Sequence, residues 1–98
     1  MKELKDTIEN MVSDDYRKRF IAEYEQLCIR AKKLNDFIDR ICYAKATGGE
    51  EPKHDCSLPM LKRQLSYMVL YKNVLQARAI VEEIDLPRYD DPQFNALL

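Results

Sequence analysis

Glycine is scarce, with two in 98 residues, and proline is little commoner, with four. A fold of many short strands needs turn residues far more often, so an all-β chain is excluded. No segment reaches the ~18 apolar residues of a membrane span. The opening MKELKDTIENM holds no apolar signal core, so export is not expected. Neither sign of charge dominates: 16 basic and 17 acidic residues leave a net charge of -1. General attraction to long nucleic acid is thereby absent, although a local basic pocket for a small anion is not. The three cysteines, Cys28, Cys42 and Cys56, are odd in number and lack framework spacing. Reduced thiols in a cytoplasmic setting fit them best.

What the chain does have is helix. Apolar residues make up 46% and charged ones 34%, as in a soluble globular domain. Residues 1–98 read as one domain, small enough that association would add useful stability. A short helix is expected over about 2–12, with Leu4, Ile8, Met11 and Val12 on one side. Ser13 is a plausible N-cap for a long helix to about residue 44, with Asp14 and Asp15 in its first turn. Phe20, Tyr24, Leu27, Ala31, Leu34, Ile38 and Ile41 recur at alternating spacings of four and three, a coiled-coil-like seam. ATGGEEPKHDCS, residues 46–57, gathers both glycines and a proline and is the one strong linker. Ser57 and Pro59 then open a helix over about 58–84. The remainder, 86–98, is Pro-interrupted and expected to be irregular, with Tyr89, Phe94, Leu97 and Leu98 free to dock on a neighbour.

Two long helices and a linker define an all-α antiparallel hairpin. The last helix carries two apolar stripes. One is Leu61, Leu65, Met68, Leu75 and Ala79; the other is Tyr67, Leu70, Val74, Ala77, Val81 and Ile84. A hairpin partner covers one. The second calls for another copy, hence a homo-oligomer.

Chemistry of the catalytic kind finds little purchase. His54, Asp55 and Cys56 could recruit Cys42, but the paired spacing of a structural zinc site is missing, so no metal is expected. A Cys–His nucleophile has no oxyanion-type loop, and no Gly-rich phosphate loop exists, so neither an enzyme nor a cofactor is expected. Most carboxylates read as solvent-face or i,i+4 partners, Glu23 with Arg19 among them. The cations are more informative. Arg17, Lys18 and Arg19 cluster early on the first long helix; Arg30, Lys32 and Lys33 follow; Lys62, Arg63, Lys72 and Arg78 lie on the second. Tyr16, Tyr24, Tyr67 and Tyr71 are interleaved with them. Rings stack on bases and cations neutralise phosphate, so a pocket for a phosphorylated base stands beside the plainer reading of solvated helix faces and packing tyrosines.

On residues 14–44 and 58–84 the chain resembles the hairpin-domain family of phage anti-defence sponges, the anti-CBASS and anti-Thoeris proteins. The resemblance rests on Tyr16, Arg19, Glu23, Leu27, Lys33-Leu34 and Phe37-Ile38 in the first helix. In the second it rests on "LKRQLSYMVLYKNVLQAR", with Leu61, Gln64-Leu65, Met68, Tyr71, Leu75 and Arg78. It implies a homo-oligomer, typically a hexamer, in the cytoplasm of an infected bacterium. Such proteins hold cyclic oligonucleotide or cyclic ADP-ribose-type signals uncleaved, in pockets between subunits. Tyr16 matches the aromatic that stacks on the base, Lys33 or Lys32 the phosphate-contacting lysine, and Arg78 a second polar pocket. Arg19, Arg30 and Tyr71 complete the expected ligand-binding set. Tyr16 and Lys33 are seventeen residues apart, roughly 25 Å along one helix, so antiparallel subunits would be needed to bring them together. The rival expectation is a helical oligomerisation or protein-binding module without a small ligand, its tyrosines and arginines being interface residues.

Overall fold

A computed structural model describes residues 2–87. The expected docking of Tyr89, Phe94, Leu97 and Leu98 lies outside them. The described residues are all-helical, with no strand. A 3-10 turn at Leu4–Thr7 runs into α1, Ile8–Met11; α2 spans Tyr16–Thr47 and α3 spans Leu58–Val81. Thirty-two residues make α2 about 48 Å long, which matches the 49 Å long axis of the molecule.

Each boundary has a local cause. Asp15, not Ser13, caps α2, its carboxylate accepting from the Arg17 N–H at 2.9 Å. The Ser13 hydroxyl instead accepts from the Asp15 N–H at 3.1 Å, and its carbonyl from Arg19 Nη1 at 2.7 Å. The turn is thus used up one step before the helix starts. At the other end α2 passes residue 44 and continues to Thr47. Nothing in Lys45-Ala46-Thr47 breaks a helix, and Gly48 at φ 71 supplies the left-handed stop. Ser57 caps α3 through the Met60 N–H, with Pro59 in the first turn. α3 stops at Val81 rather than 84. Glu83 takes φ 57, and the Ile84 N–H returns to the Ala79 carbonyl at 2.8 Å. This reversal turns Ile84 into the core, so it leaves the second stripe where its spacing had put it.

The hairpin core forms two clusters. Phe20, Tyr24, Leu27 and Cys28 pack with Leu75, Ala79 and Ile84. Ala31 and Ile38 pack with Leu65 and Val69, flanked by Leu34, Cys42, Leu58 and Leu61. Lys72, counted above among the surface cations, is buried. It lies near enough to Cys28 to act on its thiol electrostatically.

The N-terminal segment packs on the other side of α2, against buried Ala22, Glu25 and Ile29. Its expected apolar face does not do this: Ile8, Met11 and Val12 are exposed. Polar groups dock it instead. Lys2 Nζ meets the buried Glu25 carboxylate at 2.6 Å. The Thr7 hydroxyl, fully buried, donates to the Leu4 carbonyl and accepts from Gln26 Nε2 at 2.9 Å. No helix of the described residues is long and apolar enough to cross a membrane.

Candidate functional site: one aromatic and cationic flank

Residues seven apart on a helix share a flank, so Tyr16, Glu23 and Arg30 line one edge of α2. On α3 the matching edge carries Tyr71 and Arg78. The Tyr71 hydroxyl donates to the Glu23 carboxylate, tying the two helices together. Glu23 therefore serves a partner on the other helix and not Arg19, which turns back to the Ser13 carbonyl. Arg78 lies with its Cζ 4.8 Å from the Phe20 ring centroid, and its Nε donates to Glu82 at 2.8 Å. Phe20 is a core residue, so the guanidinium rests on a fixed floor. The Glu82 hydrogen bond, and then the fields of Glu82, Glu23 and Tyr16, hold the Arg78 pKa above its ordinary value. Arg78 is thus a permanent cation beside the rings of Tyr16 and Tyr71, which are about half exposed. Arg17 stacks over Tyr16 at 5.7 Å and donates to the Glu83 carbonyl at 3.0 Å, pinning the end of α3 to the start of α2.

Of the residues singled out in the sequence, Tyr71 bonds Glu23, and Tyr16 and Arg78 stand on the same flank within electrostatic reach of each other. Arg30 extends the same edge, and Arg19 sits at its head, engaged with the turn. Lys32 is paired with Asp36 at 3.2 Å, and Lys33 is exposed on a different face. Neither reaches Tyr16 within one chain. Phe20 and Glu82 were not singled out. Phe20 reads as pure core, and only the i,i+4 spacing of Arg78 and Glu82 hints at that pair.

Beside this flank, on the outer surface of α3, lies an open groove of about 400 Å³ lined by Met60, Arg63, Gln64, Tyr67, Met68 and Tyr71. Tyr71 belongs to both features. A second hollow of about 780 Å³ lies at the far end of α2, between Asp39, Arg40, Tyr43 and the 49–53 loop. His54 holds this loop. Its Nδ1 faces the Cys56 carbonyl at 2.8 Å and its Nε2 the Glu51 carboxylate at 3.1 Å, while Lys45 reaches Glu51 at 3.2 Å. The Cys56 carbonyl, and then Glu51, raise the His54 pKa above its ordinary 6.5. His54 and Lys45 lower that of Glu51. Both ring nitrogens are thus engaged in the loop, and among the described residues no group of three His, Cys, Asp or Glu could hold a metal. Burial raises the Cys28 thiol pKa above 9.0, the opposite of what an activated nucleophile needs.

These features define a class, the small all-α hairpin protein with one ring-and-cation flank. Within it, a family model described as Sequestin matches residues 14–80, which takes in α2, all of α3 but its last residue, and the flank with Tyr16, Glu23, Tyr71 and Arg78. The chain belongs to the Sequestin family, whose name suggests sequestration. No curated protein and no solved structure matches it.

Proposed function

We propose that the chain is a phage anti-defence sponge. It captures cyclic oligonucleotide or cyclic ADP-ribose-type immune signals intact in the cytoplasm of an infected bacterium, and so keeps CBASS or Thoeris effectors unactivated. The observation that carries this reading is the one flank that Tyr16, Tyr71 and Arg78 share, with Tyr71 bonded to Glu23, on a chain of the Sequestin family.

The chemistry suits capture. The Tyr16 and Tyr71 rings offer faces for bases, at about 1–3 kcal/mol per stacked base. Arg78 and Arg30 neutralise phosphate. Glu23, already an acceptor for Tyr71, can take an N–H from a base edge. The ligand is held and not turned over, so copy number and affinity set the effect; nanomolar capture corresponds to about -12 kcal/mol. The protein works as a homo-oligomer, with a hexamer among the closed assemblies open to it.

One observation favours a second reading. Tyr67, Leu70, Val74 and Val81 leave an apolar stripe exposed along α3, which also suits a helical module that binds another protein. The test is to incubate the purified protein with a panel of cyclic dinucleotides, cyclic trinucleotides and cyclic ADP-ribose isomers. A rise in melting temperature with one of them, and its intact release on heating, is the expected result. No shift across the panel refutes capture; a degraded ligand refutes holding without cleavage.

A further inference from the structure

A carboxylate is out of place in a site for phosphate unless a cation neutralises it. Glu82 is neutralised, because Arg78 donates to it at 2.8 Å. Glu23 is not. Among the described residues no cation pairs with it, and its bond comes from the neutral Tyr71 hydroxyl. The residue is exposed, so its charge meets whatever approaches the flank. Phosphate is repelled there. Capture through this flank therefore needs a group on the ligand that Glu23 attracts.

The antiparallel helices give the flank two unlike ends. Tyr71 bonds Glu23, so these two stand level with each other. Arg78 rests on the Phe20 ring, within electrostatic reach of Tyr16, and makes the other end. Tyr16 and Glu23 are seven residues apart on α2, as are Tyr71 and Arg78 on α3. At 1.5 Å per residue the cationic and anionic ends are roughly 10 Å apart. A nucleotide laid along the flank would put its phosphate on one and the edge of its base on the other. Arg78 gives its Nε to Glu82 and keeps its Nη atoms for phosphate. The half-exposed rings of Tyr16 and Tyr71 border the space between.

The bases differ in what they show a carboxylate. An ionised carboxylate only accepts, and with Tyr71 on Oε2 the Glu23 group still has lone pairs for two donors side by side. Guanine offers that pair on its Watson–Crick edge, N1–H beside N2–H. Adenine and cytosine set one amino N–H beside a ring-nitrogen lone pair, which a carboxylate repels. Uracil sets its N3–H between two carbonyl oxygens. We propose that Glu23 is the selectivity residue of the flank: it accepts N1–H and N2–H of a guanine, and so favours cyclic nucleotides that carry one. Tyr71 is the positioning residue, its hydroxyl holding the Glu23 carboxylate toward α3. This inference rests on the capture reading and adds to it the base that is captured. Attraction to guanine and repulsion of the other edges act in the same direction, so the preference should be about tenfold or more.

Cyclic di-GMP and cyclic di-AMP share the ring and both phosphates and differ only in their bases, so the ratio of their affinities isolates the base. Calorimetric titration of the wild type should favour cyclic di-GMP by about tenfold or more. Glu23→Gln replaces two acceptors by one donor and one acceptor, the pattern that suits adenine. It should abolish or reverse the ratio while circular dichroism keeps its helical signal. Tyr71→Phe keeps the ring and removes the hydroxyl, and should narrow the ratio. Glu9→Gln, at an exposed acid in the segment on the other side of α2, should leave it unchanged. A merely structural role for Glu23 would weaken both ligands alike and preserve the ratio. A wild type that binds the two equally, prefers cyclic di-AMP, or takes only the adenine-bearing cyclic ADP-ribose isomers overturns the guanine assignment and leaves capture standing. So does a Glu23→Gln variant with the wild-type ratio. A wild type that binds no cyclic nucleotide at all overturns capture, and the assignment with it.

Discussion

Phe20 is where the fold and the site depend on the same side chain. It is 4% exposed, lies in the cluster with Tyr24, Leu75, Ala79 and Ile84, and carries the Arg78 guanidinium on its ring. A buried aromatic ring removes at least ~150 Å² from water, worth about 4 kcal/mol at ~25 cal/mol per Å². Phe20→Ala should therefore cost about 3–5 kcal/mol, transfer and cavity terms together. A domain of this size holds about 5–15 kcal/mol in all. The melting temperature should accordingly fall by roughly 20 °C. Phe20→Leu keeps most of the volume and should cost only about 1–1.5 kcal/mol. It nevertheless removes the aromatic floor beneath Arg78. The assay is urea unfolding followed by far-UV circular dichroism, at one protein concentration because association adds apparent stability. The Leu variant should remain folded and bind its ligand more weakly; the Ala variant should be close to unfolding at physiological temperature. If Phe20→Ala costs less than about 1 kcal/mol, the α2–α3 seam does not close around this ring and the reasoning fails.

Glu83→Gly should raise the urea midpoint, by about 0.5–1 kcal/mol of added stability, because φ 57 strains a side chain and not a glycine; the Arg17 bond goes to the backbone carbonyl and survives. The loop tether should depend on pH in a fixed sense. His54 has a folded pKa above 6.5, so its contribution is complete below 6.5 and fades as pH climbs through the folded value; that of Glu51 is present above 4.5 and fades as pH falls through its lowered value. Backbone amide shifts of residues 49–56, followed by NMR, should move above pH 6.5 in the wild type and stay flat there in His54→Gln. Thiol labelling in native buffer should reach exposed Cys56 first, Cys42 more slowly, and buried Cys28 only on unfolding; early labelling of Cys28 would contradict the core.

The hairpin itself is legible in the residue order because helix packing repeats. Phe20 through Ile41 alternate by four and three, and all but Leu34 are buried. Ser57-Leu58-Pro59 announces α3 by cap and proline together. Features that depend on one turn or one distant partner are hidden. Ser13, Asp14 and Asp15 can all cap a helix, and the choice falls to Asp15 because Arg19 takes the Ser13 carbonyl. Nothing in the letters marks Glu83 as the left-handed residue that sends Ile84 inward. Lys72 looks like one more surface cation until α2 closes over it. The flank is half legible. Its tyrosines and arginines stand out as types, and Tyr16, Glu23 and Arg30 share a spacing. That Glu23 meets Tyr71 and not Arg19 is a contact between helices, invisible to spacing within either one.

The most direct test of capture is native mass spectrometry of the protein after incubation with the cyclic-nucleotide panel. The account predicts a non-covalent adduct of the protein carrying one panel member at its full mass, and loss of that adduct in Tyr71→Ala and Arg78→Ala. Chains that stay bare beside every panel member, or that retain only hydrolysed fragments, would contradict it.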